Sequence, residues 1–219
     1  MVKSLFYQLF IFFSLLFPLI GMSIDISLGE AFSINQDLKI HRDDLDDIDF
    51  NASFKTNGLK SPHYYSIRLR KEIAEKNLEF EFIHHKLYVY DNLPNEIEKF
   101  EITDGFNLLL VNLHKMINES MGFRIGIGTV VTHPDIIIDG KTNYIEGGGL
   151  IPKFWTDGYH WGGVSSQLSV FLNKRLNDKL YYNIEGKAVV ANANIPIADG
   201  KFDLPNISLH ILLGISFLV

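Results

Sequence analysis

Residues 206–219, NISLHILLGISFLV, constrain the fold more than any other stretch of the chain. Ile207, Leu209, Ile211, Leu213, Ile215, Phe217 and Val219 are apolar and occupy every second position, with Ser208, His210, Gly214 and Ser216 between them. Alternation of this kind belongs to a strand with two unlike faces. An apolar face this long, with no charge along it, needs a broad core or lipid against it.

The same period of two runs through the rest of the chain, and helical periodicity is scarce. It predicts strands at 24–34, 63–73, 77–90, 102–115, 122–133, 159–173, 179–192 and 206–219. Several reach the roughly nine to eleven residues that a tilted strand needs to cross a bilayer. Their connections alternate. Residues 74–77, 116–121 and 173–178 are short and polar, whereas 35–62, 91–101, 134–158 and 193–205 are longer. An even number of antiparallel strands with short turns at one end and long loops at the other is a transmembrane barrel pattern.

Parity assigns the faces. Tyr65, Ile67, Leu69, Phe80, Phe82, Phe123, Ile125, Ile127, Val131, Val164, Leu168, Val170, Leu172, Tyr182, Ile184, Ala188 and Val190 are expected to face lipid. Ser66, Arg68, Arg70, Glu79, Glu81, Arg124, Gly126, Gly128, Ser165, Gln167, Ser169, Asn183, Glu185 and Lys187 are expected to face the lumen. The exposed face of a soluble β-sandwich would usually carry Lys, Glu and Thr; this polar parity instead carries Arg, Glu, Ser, Gly and Gln. An eight-stranded barrel leaves an interior that side chains fill. The polar parity suits it, because Arg68, Arg70, Arg124 and Lys187 stand against Glu79, Glu81 and Glu185, and paired charges are tolerable where lone ones are not. Residues 102–115 are apolar on both parities at their centre, so their faces stay unassigned. Tyr64, Tyr65, Tyr88, Tyr90, Tyr159, Trp161, Tyr181 and Tyr182 gather at strand ends, as aromatic girdles do.

The amino end, MVKSLFYQLFIFFSLLFPLIGMS, has a basic start, an apolar stretch and small residues at Gly21 and Ser23, the pattern of a cleavable signal peptide over residues 1–23. The barrel is then expected over 24–219. A net charge of −6 argues against nucleic acid as a partner, and the absence of cysteine excludes disulfides and thiolate metal sites.

Together these features resemble the small eight-stranded bacterial outer-membrane β-barrels, the class of the opacity proteins and the OmpA-like transmembrane domains. The resemblance lies in architecture over nearly the whole chain rather than in a motif. It implies an all-β, eight-stranded antiparallel barrel in the bacterial outer membrane, in contact with outer-membrane lipid and lipopolysaccharide. It also implies recognition of the carboxy-terminal strand by the assembly machinery. Members of the class usually end on an aromatic residue, whereas here Phe217 lies two positions before Val219.

The candidate chemistry is sparse. Six histidines, at 63, 84, 85, 133, 160 and 210, fall in the outer halves of their strands. His85 and His210 share lumen parity at matching depth, with Glu81 and Glu185 deeper on the same face. An imidazole beside a carboxylate is what acid–base catalysis needs, and it is also what a hydrogen-bonded polar plug looks like. Lipid A deacylases, which are also eight-stranded barrels, carry a lipid-facing His and Ser two residues apart; Ser208 and His210 have the reverse order and lumen parity. His84 or His85 with Asp104 is a further candidate pair. The acidic segment 35–50 lacks the glycine and spacing of a calcium loop, and Gly147–Gly149 lacks the strand–turn–helix setting of a phosphate loop. No cofactor or metal is implied. The expected role is a non-enzymatic surface or structural barrel whose outer loops meet lipopolysaccharide or the environment. A lipid A-modifying enzyme built on the outer-half histidines is the alternative, and a narrow pore is disfavoured by the charged lumen side chains.

Overall fold

The computed structural model describes residues 21–73, 76–142 and 158–219. The apolar stretch of the expected signal peptide, the centre of the first short turn and Gly147–Gly149 lie outside the described residues. Eight antiparallel strands close on themselves: β1 (Met22–Ser33), β4 (Tyr65–Ile73), β5 (Lys76–His84), β8 (Phe106–Met116), β9 (Met121–Thr132), β12 (His160–Arg175), β13 (Leu180–Ile197) and β14 (Gly200–Leu218), with β14 returning to β1. The closing seam pairs Ile24 with Phe217 and Phe32 with Leu209, so the alternating terminal strand seals the barrel. Closure leaves no barrel edge unpaired, the condition for strands to span hydrocarbon.

Burial follows parity. Leu168, Val170, Ile184, Ile125, Ile127, Leu209 and Leu213 are exposed on the outside, whereas Arg68, Arg124, Glu185, Lys187 and His210 are buried within. An exterior belt of Leu, Ile, Val and Phe around a polar interior is stable only against lipid. The chain is a transmembrane β-barrel of the bacterial outer-membrane type. Val131 departs from expectation. It pairs with Trp161, beside the register shift between Trp161 and Gly163, and is buried.

Within the described residues the long connections are not plain loops. They hold β2 (Gln36–Arg42), β3 (Ile48–Lys55), β6 (Leu87–Asp91), β7 (Ile97–Ile102), β10 (Asp135–Ile138) and β11 (Lys141–Thr142). The expected strand 77–90 breaks at His85 and Lys86, and the expected strand 102–115 breaks between Ile102 and Phe106. The expected loop 193–205 is a continuation of the β13–β14 hairpin, paired up to Ile197 and Gly200. The upper end of β14 pairs with β2, and the sheet runs on through β3, β6, β7, β10 and β11. It curls until Phe202 of β14 and Phe100 of β7 meet with ring centroids 5.1 Å apart.

This outer sheet is the barrel turned inside out. Climbing β13, the outward residues change from Ile184, Ala188 and Val190 to Asn192 and Asn194, while the inward ones change from Glu185 and Lys187 to Val189, Ala191 and Ile195. Climbing β14 from the closing seam, Ile211, Leu209 and Ile207 give way outside to Asp203 and Lys201, as His210 and Ser208 give way inside to Leu204 and Phe202. The reversal marks the level at which water replaces lipid, because a sheet with water outside must carry its apolar residues within. It also explains β8, whose two parities are both apolar at the centre. Leu109, Val111 and Leu113 face lipid, while Leu108 and Leu110 enter the apolar core above Asn112.

Candidate functional site

The lumen has three layers. The lowest is an ion network centred on Arg68, brought in by β4. Its guanidinium donates to Asp25 at 3.2 Å, to Glu81 at 2.7 Å and to Glu185 at 2.7 Å. Arg124 of β9 bonds both Glu79 oxygens, lies 2.9 Å from Glu185 and stacks on the Phe171 ring at 4.2 Å. Lys187 of β13 donates to Glu81 at 2.6 Å, and Arg70 donates to Glu79 at 2.9 Å and to Asp25 at 2.8 Å. Four cations (Arg68, Arg70, Arg124, Lys187) thus meet four carboxylates (Asp25, Glu79, Glu81, Glu185). Asp25 is the residue that sequence reasoning missed. It shares inward parity with Ser27 on β1, opposite Ile24, Ile26 and Leu28, so its signal was present. Gln167 and Asn112 occupy the remaining Glu81 oxygen at 2.6 and 2.8 Å.

Below the network the lumen opens at the short-turn end into a vestibule of about 600 Å³, lined in part by Arg70, His114 and Ser216. His114 Nδ1 lies 2.9 Å from Glu79.

The second layer brings His85 and His210 together, with ring centroids 5.0 Å apart and both rings buried. Tyr64 lies between them and the roof, at 5.5 Å from His210 and 6.0 Å from His85. Its hydroxyl is 2.6 Å from His210 Nδ1, and Ser208 Oγ is 2.8 Å from Nε2. Both ring nitrogens of His210 are therefore engaged by hydroxyls, which donate or accept as the tautomer requires. Tyr64, expected in the girdle, is instead fully buried as the inward plug at the end of the first long connection. His85 packs edge-on against Phe106 at 6.0 Å, and neither of its ring nitrogens has a well-formed hydrogen bond among the described residues.

The third layer is the apolar roof of Leu38, Ile40, Phe54, Ile83, Phe106, Val189, Ile195, Phe202 and their neighbours. It continues without interruption from the histidine layer into the outer sheet.

The four candidate residues are thus brought to adjacent layers of the lumen. Glu81 and Glu185 are held by Arg68 and Lys187 in the ion network, and the two histidines are engaged by Tyr64, Ser208 and the roof. Ser208 and His210 keep the lumen parity and are buried away from lipid. The pairing of His84 or His85 with Asp104 does not form. His84 Nδ1 is bonded to Asn107 at 2.8 Å, and the Asp104 carboxylate lies nearer His133, at 3.9 Å. Among the described residues no group of three or more acids and histidines is placed to hold a metal ion.

The fold defined by this barrel is that of the small eight-stranded outer-membrane proteins. Solved structures to which the chain is similar include Ail, the attachment invasion locus protein of Yersinia pestis, at 12% identity over 90% of this chain and 99% of that one, with a TM-score of 0.41. Neisserial surface protein A matches at 9% identity over 91% and 97%, with a TM-score of 0.45. OprG of Pseudomonas aeruginosa matches at 12% identity over 90% and 95%, with a TM-score of 0.49. No protein-family model and no curated protein sequence matches the chain.

Proposed function

We propose that this protein is a non-enzymatic surface barrel of the outer membrane, whose outer sheet meets lipopolysaccharide or the environment. The observation that carries the reading is the engagement of the lumen. Every cation and carboxylate of the ion network has an ion-pair partner, His210 is bonded at both nitrogens, and an apolar roof covers the pair. A catalytic imidazole needs a substrate atom within hydrogen-bond reach, and His210 is buried. The outer sheet offers the opposite: a broad polar face held well above the lipid belt. Insertion is proposed to depend on the assembly machinery reading β14, whose outward row runs from Ile207 to Phe217.

One observation favours a second reading. The 2.8 Å contact between Ser208 and His210 is the geometry of a hydroxyl nucleophile and its base, which keeps a lipid A-modifying enzyme as the rival. The test is the mass spectrum of lipid A from cells with the gene, without it, and with His85→Gln or His210→Gln. The proposed role predicts one spectrum in all four. A gene-dependent mass change that disappears in either well-assembled variant would establish the enzyme instead.

A further inference from the structure

The outside of β4, β5 and β8 carries a ladder set by strand register. Leu69, Phe80 and Val111 form one rung, and Ile67, Phe82 and Leu109 the next one up. Together they line a shallow groove of about 280 Å³ in the lipid belt. Above them Tyr65 stacks on His84 at 5.1 Å. The column then passes through the break at His85 and Lys86 into β6, above the lipid level.

There the chemistry changes to cations on aromatic rings. Lys60 and Lys86 place their ammonium groups 5.5 and 5.6 Å from the Tyr88 ring centre, and Lys55 lies 5.0 Å from that of Tyr90. Lys86 is buried and donates to the carbonyls of Asn57 at 2.9 Å and Lys60 at 2.7 Å, whereas Lys55 and Lys60 are exposed. Burial lowers the pKa of Lys86, against the pull of Glu30 and together with the charge of Lys60. The nearby acids are occupied. Glu30 accepts from the backbone N–H groups of Ala31 and Gly58, and Glu101, opposite Tyr88, lies 3.6 Å from Lys99. Elsewhere on the outer sheet Lys39, Arg42 and Lys99 each sit against an aspartate. Among the described residues Lys55, Lys60 and Lys86 form no ion pair.

We propose that this column binds one phosphorylated glycolipid of the outer leaflet, with an acyl chain in the groove and a phosphate at Lys55 and Lys60. The juxtaposition carries it: an apolar groove inside the lipid belt on β4, β5 and β8 and, around β6 where the chain of β5 continues past the break, ammonium groups from Lys55 at the end of β3, Lys60 and Lys86 that form no ion pair among the described residues. Buried Lys86 adds field without contact, and lysines at a membrane surface each strengthen attraction to anionic headgroups. The proposal rests on the reading of the protein as a lipopolysaccharide-contacting barrel and gives that contact a place.

The test uses the full chain in neutral phosphatidylcholine nanodiscs, titrated with bisphosphorylated lipid A, with bound lipid counted by native mass spectrometry. Wild type is expected to retain one lipid A. The pair Lys55→Gln with Lys60→Gln should weaken retention by about fivefold or more, as should Leu109→Trp, which fills the groove from its exposed side. Lys39→Gln with Lys201→Gln, distant on β2 and β14, should leave it unchanged. Heat-modified gel mobility confirms that each variant is folded. Retention that is equal in the Lys55/Lys60 pair and wild type overturns the site but leaves the broader reading standing. Competition by inorganic phosphate as effective as by lipid A would make it a plain anion site and overturn it too. A wild type that retains no lipid A overturns both the site and the lipopolysaccharide contact, and a gene-dependent change in lipid A mass overturns the non-enzymatic reading alone.

Discussion

Lys187 of β13 reaches across the lumen to Glu81 of β5, with Nζ and Oε1 2.6 Å apart and both side chains wholly buried. These strands are not neighbours in the barrel, so the bond ties opposite walls. Removing one member of a buried pair leaves an uncompensated charge and costs about 3–5 kcal/mol. Glu81→Leu should therefore lower barrel stability by about that amount, read as the urea midpoint in lipid vesicles. Adding Lys187→Met to it should cost less than the sum of the single changes, because the second removes a cation left with only its longer 3.5 Å contact to Glu185. Strict additivity in that cycle would show that the two groups are not coupled.

The lipid belt should be sensitive to charge in a depth-dependent way. Leu168 is central in the exposed run from Val164 to Leu172, so Leu168→Arg should cost about 2–4 kcal/mol. Val190 is the last apolar outward residue on β13 before Asn192, and Val190→Arg should cost only about 0–1 kcal/mol. Reversed sensitivities would place the membrane at another level.

The outer sheet should be separable from the barrel. Phe202 is fully buried against Phe100, and Phe202→Ala should destabilise the sheet by about 3–5 kcal/mol. The expected readout is protease cleavage within residues 36–55 and 87–102, while the barrel keeps its heat-modified gel mobility. Loss of both together would mean that the two layers fold as one unit.

The filled lumen should not conduct. Ion network, histidine layer and roof succeed one another along its axis, and eight strands leave only enough room for side chains. Purified protein in planar bilayers should show no stepwise conductance above the bare membrane. Stable open events would contradict the packing of Arg68, Tyr64 and the roof.

What the sequence determined by itself was whatever depends on the period of two. The spacing from Ile207 to Val219, and the partition of Leu168, Val170 and Ile184 from Gln167, Ser169 and Glu185, follow from the pleat alone, because successive side chains must point to opposite faces. So the strand number, the lipid face and the polar lumen were legible. Tertiary structure decided what depends on which surface each face meets. β2, β3 and β6 alternate as the barrel strands do, but with polar residues outward, and only pairing β2 to the top of β14 shows that they extend the wall above the lipid. Tyr64 reads as a girdle residue beside Tyr65, yet the chain enters the barrel mouth there, and one step of parity sends it inward to His210. Asp25 becomes the fourth carboxylate only when the pairing of β1 with β4 sets it beside Arg68 and Arg70. The two apolar parities of β8 resolve only once the interior is seen to change from ions to a dry core partway up. Each of these rests on contacts between residues far apart in the chain, and a local pattern carries no information about its partner.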